Sequence, residues 1–251
     1  MKLWLLSDLH LETVPFPSAF NPKRPDFDVL LSAGDTWQGN IAGGFQFLRG
    51  LAGRKPIFAV LGNHEHFRGE LHQNLAAARQ AAKKFGVTLL EGDAVELGGC
   101  RFIGATLWSD YQLGGDVDPA SLTGETIEVR DEAGARAFAV ADARRLHAEA
   151  VASLRSHLNA VSRLPTVVVT HHAPLADCLP PPIRGKWIAG NSASDLSDLT
   201  DAGTVTLWVH GHIHASIDIQ RSSGARIVCN PAGPLFSNTR FVEDLVLTVG
   251  Q

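Results

Sequence analysis

The chain has 251 residues, of which 45% are hydrophobic and 19% charged, and these are ordinary values for a globular protein with a full core. Its net charge of −4 argues against an extended nucleic-acid-binding surface, which needs a basic stripe. A small phosphate substrate stays possible, because bound cations would offset local acidity. The chain shows no repeat, low-complexity tract or convincing linker, so we expect one domain over residues 1–251.

The cysteines indicate a reducing compartment. Cys100, Cys178 and Cys229 are widely spaced and form no Cys-x-x-Cys pair, so we expect small buried thiols and a cytoplasmic location. The apolar run before Asp8 is too short for a signal peptide. No run approaches the roughly 18 apolar residues of a membrane helix, so no membrane contact is expected. No heptad pattern indicates an oligomeric state, which the sequence leaves open.

The first half of the chain predicts buried strands that alternate with helices. The predicted strands are residues 2–6, 28–31 and 57–60, and the predicted helices are residues 39–51 and 71–85. Gly86 is expected to end the second helix. Residues 12–25 contain four prolines and are predicted to be a surface loop near the site. The apolar runs 87–90, 94–97 and 101–105 are separated by glycine turns, which predicts hairpin-like pairing.

The second half predicts two long loops, one long helix and further strands. The loops are residues 108–130 and 178–201, and the alanine-rich segment 133–161 between them is predicted to be helical. The predicted strands are residues 167–169, 205–209, 217–220, 227–229 and 245–248. The whole pattern predicts an α/β fold in which two packed sheets are flanked by helices.

Five predicted strands end in side chains that can bind metal ions. These endings are Asp8-Leu9-His10, Gly34-Asp35, Gly62-Asn63-His64-Glu65, His171-His172 and Gly211-His212-Ile213-His214. Open α/β sheets place their ligands at the carboxyl ends of strands. Each ending alone is also compatible with a polar turn or a surface loop. Five of them in one chain predict a metal centre.

The spacing within the blocks suits shared cations. Asp8 and His10 are two residues apart, and in extended backbone such residues point to the same side. The side-chain oxygen of Asn63, beside a histidine, suits a hard or borderline cation. His212 and His214 follow a glycine that permits a sharp turn.

The order of the five blocks, from residue 8 to residue 214, resembles the calcineurin-like metallophosphoesterase superfamily. The resemblance leaves out the loops 109–130 and 178–201. It implies a four-layer α/β/β/α sandwich of two mixed sheets flanked by helices, with a dinuclear metal centre at one end. The implied cofactors are two transition-metal ions. Mn²⁺ is the leading expectation, and Fe or Zn²⁺ are the alternatives, because nitrogen and oxygen ligands accept several ions.

The resemblance also implies a role for each site residue. One ion would be held by Asp8, His10 and His214, the second by Asn63, His171 and His212, and Asp35 would bridge the two. His171 is preferred to His172 because the first histidine after the strand usually ligates in the family. His64 would be the catalytic residue that donates a proton to the leaving group or stabilises its charge. His172 and His66 could bind substrate, although each could instead satisfy local backbone groups.

Three further residues have structural and functional interpretations. Glu65 is expected to brace its turn rather than contact substrate, and His210 to be a hydrogen-bonded core histidine. Arg184, in the proline-containing loop, could reach a phosphate, although a solvated loop charge is the commoner outcome.

We therefore expect a metal-dependent phosphoester hydrolase in which a metal-bridged hydroxide attacks phosphorus in line. The expected partner is a small phosphoester, with phosphodiesterase activity slightly preferred to phosphomonoesterase (phosphatase) activity. The stretch Gly34–Gly39 lacks the Asp-Arg-Gly of the superfamily's protein phosphatases, which makes a protein substrate less favoured. The alternative from another class is a non-catalytic scaffold or binding module with the same fold, which would lack stoichiometric metal.

Overall fold

The computed structural model of the chain describes residues 1–250 and contains two large mixed sheets. The first sheet has the strand order β13-β1-β2-β3-β4. Its strands are β1 (Lys2–Leu6), β2 (Val29–Ser32), β3 (Ile57–Ala59), β4 (Thr88–Leu89) and β13 (Val246–Thr248). All neighbours in this sheet are parallel except β13, which pairs antiparallel with β1.

The second sheet has the strand order β11-β12-β10-β9-β6-β5. Its strands are β5 (Asp93–Leu97), β6 (Cys100–Ala105), β9 (Thr166–Thr170), β10 (Leu207–His210), β11 (Ile217–Gln220) and β12 (Arg226–Cys229). The four central strands are parallel, and β5 and β11 pair antiparallel at the two edges. The strands β7 (Glu128–Asp131) and β8 (Gly134–Ala137) form a separate hairpin.

Three apolar clusters arrange these sheets in four layers. Leu31 of the first sheet and Val169 of the second lie in one buried cluster, which fills the space between the sheets. The other face of the first sheet packs against helices α1 (Ile41–Ala52) and α2 (Leu71–Phe85). The other face of the second sheet packs against α3 (Val140–Asn159). The α/β/β/α sandwich expected from the sequence is therefore confirmed.

Local chemistry explains where the helices begin and end. The Asn40 side chain accepts a hydrogen bond from the Gly43 amide and caps α1, which begins two residues later than predicted. Glu70 caps α2 by accepting from the amides of His72 and Gln73. Gly86 ends α2 in a left-handed conformation (φ 64°), as the sequence predicted.

The predicted hairpin-like pairing of residues 87–105 is only partly correct. β5 and β6 form the expected antiparallel hairpin. β4, however, joins the other sheet and pairs parallel with β3. The physical reason is that β4 follows α2 directly, so β3, α2 and β4 form a parallel crossover unit in the first sheet.

The predicted boundary between the loop 108–130 and the helix 133–161 is wrong. A two-stranded hairpin, β7 (Glu128–Asp131) and β8 (Gly134–Ala137), occupies this boundary, and α3 begins only at Val140. Gly134 (φ 119°) supplies the turn between the two strands. Asp142 then fixes the start of the helix, because it accepts a hydrogen bond from the Ala139 amide and two from the Arg136 guanidinium.

The remaining connections contain short helical turns. The predicted loop 178–201 includes two four-residue helices, α4 (Ala189–Ser192) and α5 (Ser197–Thr200). Within residues 1–250, no helix is both long enough and apolar enough to cross a bilayer.

Candidate metal centre

The candidate centre lies where five strands of the two sheets end. β1 leads to Asp8 and His10, β2 to Asp35, β3 to Asn63 and His64, β9 to His171, and β10 to His212 and His214. Backbone hydrogen bonds hold these endings together. The amides of Asp8 and His10 donate to the carbonyls of Gly34 and Asp35, at 3.0 and 3.1 Å. In the second sheet, the Gly211 amide donates to the carbonyl of His171 at 3.0 Å.

A first group of side chains comprises Asp8, His10, Asp35 and His214. One ligand atom from each lies within 4.8 Å of the others. The Nε2 atoms of His10 and His214 are 3.0 Å apart, and His10 Nε2 is 3.7 Å from Asp35 Oδ2. His214 Nε2 is 3.4 Å from Asp8 Oδ1. This group matches the residues expected for one ion together with the expected bridging residue.

A second group comprises Asp35, His171 and His212, whose ligand atoms also lie within 4.8 Å of one another. His171 Nε2 is 3.2 Å from Asp35 Oδ2 and 2.9 Å from Asn63 Oδ1. His212 Nδ1 is 3.2 Å from the same Asn63 oxygen. Asp35 is therefore common to both groups, and the seven predicted ligands converge.

One buried oxygen of Asp35 indicates that these two groups suit cations. This Oδ2 atom is buried and has no hydrogen-bond partner among residues 1–250. Burial alone raises the pKa of Asp35, but the charge of His171 holds that pKa well below its usual value. A buried, ionised carboxylate oxygen without a partner is costly. Cations that coordinate this oxygen and the ring nitrogens around it would remove the cost, and the donor set suits borderline transition metals.

Without a bound metal, the imidazoles of the centre differ in charge. Burial opposes the charging of His171 and His10, but the carboxylates beside them raise the pKa of His171 to about 10 and that of His10 to about 9. Metal binding needs the neutral ring, so these two rings would release protons when an ion binds. Burial lowers the pKa of His212 well below its usual value, and the charge of His171 lowers it further. For Asp8, burial raises the pKa, but the hydrogen bond from His214 and the charge of His171 bring it below the usual value.

Three imidazoles have an acceptor that orients the ring. The Nδ1 atoms of His10, His171 and His64 lie 2.9 Å from Glu12 Oε1, 2.8 Å from the Ala33 carbonyl and 3.0 Å from Gln38 Oε1. Each acceptor requires the proton on Nδ1, so the neutral ring presents an unprotonated Nε2 to the centre. The sequence does not identify these partners, although Glu12 stands only two residues after His10.

Glu65 braces the loops that carry Asp35 and Asn63, as the sequence predicted. Its Oε1 accepts from the amides of Thr36 and Trp37, and its Oε2 accepts from those of Asp35 and Gly62. Burial raises the pKa of Glu65 to about 7, and the nearby charge of Asp35 adds to this increase.

Five of the seven predicted ligands have left-handed backbone. Their φ angles are 50° for Asp8, 44° for His10, 52° for Asp35, 69° for His212 and 50° for His214. The expectation that extended backbone aligns Asp8 with His10 is therefore wrong: two left-handed turns bring their side chains together. For residues other than glycine this conformation costs roughly 1–2 kcal/mol each, and such strain clusters at functional sites.

His64 lies at the edge of the two groups. Its Nε2 is 4.0 Å from Asp35 Oδ2, its amide donates to Asp35 Oδ1 at 2.9 Å, and its ring stacks on Phe67. The side chain is 27% exposed, so it faces both the centre and the solvent. Burial lowers the pKa of His64. The charge of Asp35 opposes this decrease, and the charges of His10 and His171 add to it.

The other histidines of these segments are buried. His172 stacks on His212 with ring centroids 4.3 Å apart, and its Nδ1 is 3.3 Å from the Thr106 carbonyl. His66 is buried beside Trp108, and its Nδ1 has no partner within the described chain. Substrate binding by His172 and His66 stays a prediction. His210 is fully buried and donates to the Gly211 carbonyl, so it is a core histidine.

Glu125 and Arg184 are charged side chains of the two long loops. Glu125, which the sequence analysis did not single out, accepts a hydrogen bond from Asn63 Nδ2 at 3.0 Å. Burial, and then the charge of Asp35, raise the pKa of Glu125 to about 8. Arg184 is exposed and donates to the carbonyls of Leu179 and Asp177 in its own loop.

Comparisons of sequence agree with this geometry. A family model described as calcineurin-like phosphoesterase matches residues 1–216. An uncharacterized protein of Acanthamoeba polyphaga mimivirus is 26% identical over 253 aligned positions, which cover 83% of each chain. An uncharacterized metallophosphoesterase of Aquifex aeolicus is 35% identical over 107 positions, which cover 39% of this chain and 38% of the relative.

A solved structure has a similar fold. The crystal structure of phosphopantetheinyl hydrolase (PptH) from Mycobacterium tuberculosis superposes with a TM-score of 0.72 and 20% sequence identity. The match covers 99% of this chain and 95% of that chain, so the similarity in fold extends over both molecules.

Proposed function

The chain belongs to the calcineurin-like phosphoesterase family, and from this premise we propose that it hydrolyses small phosphoesters at a dinuclear centre built on Asp35. Metal-dependent phosphoester hydrolysis follows from the family. The dinuclear centre, the residue roles and a slight preference for diesters over monoesters are the proposal. The observation that carries it is that two groups of ligand atoms share the single buried carboxylate of Asp35.

The proposed ligands are the side chains whose ligand atoms lie close together. Asp8, His10 and His214 would hold one ion, Asn63, His171 and His212 the other, and Asp35 both. When bound, two such ions would acidify water and neutralise the charge of the phosphoryl oxygens. We propose Mn²⁺ first and Fe or Zn²⁺ as alternatives, because this set of nitrogen and oxygen donors accepts all three.

His64 would supply the proton chemistry. Gln38 holds the proton on His64 Nδ1, so proton exchange with a substrate occurs at Nε2, which faces the centre. Water would attack phosphorus in line with the leaving oxygen and release its proton to solvent. His64, protonated at Nε2 before the reaction, would donate that proton to the leaving oxygen. The ring is held in this position by its stacking on Phe67 and by the hydrogen bond from its amide to Asp35.

The proposal also covers the setting of the enzyme. The three cysteines are free and buried, which supports the expected cytoplasmic location. The expected single domain, and the expectation that neither extended nucleic acid nor membrane is a partner, are retained as parts of the proposal.

The test is a hydrolysis screen with the wild-type chain and the Asp35→Asn variant. Each protein is loaded in turn with Mn²⁺, Fe²⁺ or Zn²⁺ and assayed on nitrophenyl mono- and diesters, cyclic nucleotides and a phosphopantetheinyl ester. We expect wild-type hydrolysis with at least one metal and substrate, and its loss in Asp35→Asn. If the wild type never exceeds Asp35→Asn, the proposed function is wrong.

The role of His64 has its own test. A nitrophenolate leaves without a proton, whereas an alkoxide needs one. The His64→Ala variant should therefore lose much more activity on alkyl phosphoesters than on nitrophenyl esters. An equal loss on both substrate classes would contradict proton donation by His64.

A non-catalytic scaffold is the alternative function. Metal analysis of the purified protein distinguishes the two, because the hydrolase requires close to two ions per chain and a scaffold does not. The convergence of all seven ligand positions favours the hydrolase.

A further inference from the structure

The side-chain amide of Asn63 could face the centre in two orientations. It has one oxygen and one nitrogen of nearly the same shape, and only the oxygen can coordinate a cation. The Oδ1 atom lies 2.9 Å from His171 Nε2 and 3.2 Å from His212 Nδ1, on the side of the centre. A rotation of the amide by 180° would place two N–H donors there instead. Something must therefore hold the amide in place.

Glu125 provides that constraint. Its Oε1 atom accepts a hydrogen bond from Asn63 Nδ2 at 3.0 Å, and no other partner of Nδ2 occurs in the described part of the chain. The second carboxyl oxygen, Oε2, is buried and has no partner among residues 1–250. A flipped amide would turn its oxygen toward the carboxyl group. The ionised carboxylate only accepts hydrogen bonds and has no proton to donate to that oxygen, which disfavours the flipped state.

The backbone that follows Glu125 is bound to the segment that follows the Asn63 block. The Arg68 amide donates to the Thr126 carbonyl at 2.6 Å, and the Glu128 amide donates to the Gly69 carbonyl at 2.9 Å. Arg68 adopts a left-handed conformation (φ 61°) where it makes this contact. The carboxyl group is therefore presented from an anchored segment, which is what precise orientation of a ligand requires.

We infer that Glu125 is a positioning residue that holds the Asn63 amide with its oxygen toward one of the two proposed cation sites. This inference rests on the proposed function and deepens it. It gives the loop 109–130, which lies outside the recognised family blocks, a direct part in the centre. Outer hydrogen-bond partners of ligands typically contribute a factor of roughly 10–100 to metal affinity.

Three variants separate orientation from other effects. Glu125→Leu removes the acceptor and replaces it with an apolar side chain of similar reach. Glu125→Gln keeps an acceptor oxygen for Asn63 Nδ2. Glu128→Leu is the matched control, because it makes the same change three residues later at an exposed position whose carboxylate accepts a hydrogen bond from the surface residue Arg130.

The measurement is Mn²⁺ binding to chelator-treated protein by calorimetric titration, with thermal melting as the check on folding. In Glu125→Leu we expect one of the two binding events to weaken by roughly 10–100-fold while the other is kept. Glu128→Leu should bind both ions like the wild type. Glu125→Gln should bind with an affinity between those of Glu125→Leu and the wild type, because its amide accepts from Asn63 Nδ2 but can also rotate and donate to a flipped Asn63. This readout does not depend on any substrate.

A double-mutant cycle with Asn63→Asp distinguishes orientation from general disruption. Both side-chain atoms of an aspartate are oxygens, so its rotation does not remove a ligand. In the Asn63→Asp background, Glu125→Leu should therefore not weaken Mn²⁺ binding further. A loss of the same size in both backgrounds would show that Glu125 acts by supporting the loop, and it would overturn the inference.

The outcomes also separate this inference from the proposed function. If the wild type binds two Mn²⁺ and Glu125→Leu binds them equally well, the inference alone is wrong. If the wild type binds two Mn²⁺ and the variants behave as expected but no phosphoester is hydrolysed, the proposed function alone is wrong. If the wild type binds no Mn²⁺, the inference is overturned together with the dinuclear centre.

Discussion

Replacing Glu65 with glutamine tests whether one buried carboxylate holds the two loops of the centre together. Glutamine has the same shape, but one of its two terminal atoms is an NH₂ group that cannot accept a hydrogen bond. In wild type, Oε1 accepts from the amides of Thr36 and Trp37, and Oε2 from those of Asp35 and Gly62. Either orientation of the glutamine therefore leaves two backbone N–H groups facing another donor.

The expected cost follows from this count. An unsatisfied buried polar group costs about 1–3 kcal/mol, so two of them should lower the free energy of unfolding by about 2–6 kcal/mol. The assay is urea unfolding in the presence of a chelator, which separates the fold from metal binding. It is run at pH 8 because the pKa of Glu65 is about 7, so the wild-type carboxylate is then mostly charged.

The control is Glu96→Gln, which makes the same change at an exposed position of β5. We expect it to change the free energy of unfolding by less than about 0.5 kcal/mol. If Glu65→Gln also costs less than about 1 kcal/mol, the four hydrogen bonds do not hold the loops, and the account of Glu65 given above is wrong.

Three further predictions concern pH, backbone strain and metal removal. Burial raises the pKa of Glu91 to about 7 from an ordinary 4.5, so the folded wild type keeps a proton that the unfolded chain loses. Glu91 should therefore lower the free energy of unfolding by up to about 3 kcal/mol as pH rises from 4.5 to 7. Glu91→Gln should remove this contribution and leave those of Glu65 and Glu125. Gly34→Ala should destabilise the fold and weaken Mn²⁺ binding, because φ is 92° and the added Cβ would lie 2.6 Å from His171 Nδ1. Finally, a chelator should remove about 2.7 kcal/mol of stability per site relative to protein at a free Mn²⁺ concentration 100 times Kd.

A matched control tests the glycine prediction, and each of the three predictions has a result that would contradict it. Gly224→Ala, between β11 and β12, has a similar φ of 94° but no heavy atom of the described chain within 4 Å, so it reports conformational strain alone. Equal effects of the two alanine variants on Mn²⁺ binding would refute the steric argument. A Glu91→Gln variant whose unfolding free energy follows that of wild type between pH 5 and 8 would place the titration elsewhere. A melting temperature that does not respond to Mn²⁺ or chelator would exclude a metal bound preferentially by the folded chain.

The sequence predicts the sheets and the converging strand ends because both are recorded in local patterns. β1, β2 and β9 are almost fully buried apolar runs that stop abruptly at polar side chains. Such a break is visible without knowledge of the fold. The hairpin of β7 and β8 escaped prediction because most of its side chains are exposed, so it lacks the alternation that marks a half-buried strand.

The support of the centre is less predictable than its ligands. Glu125 contacts Asn63 across 62 residues of sequence, and the contact depends on the path of a loop with no periodicity. Gln38 and the carbonyl of Ala33 are likewise ordinary residues whose role arises only from where the chain turns. The left-handed conformations of Asp8 and His10 are invisible because no glycine marks them.

The left-handed residues of the centre serve the proposed function but reduce the thermal stability of the fold. At Asp8, His10, Asp35, His212 and His214 a glycine would relieve the backbone at the expense of a proposed ligand. A directed-evolution experiment that rewards only survival at high temperature in the presence of a chelator is therefore expected to collect substitutions at these five positions, which stability–activity trade-offs favour. Engineers who want a hardier catalyst should leave the centre untouched and seek their gains in the peripheral loops and helices.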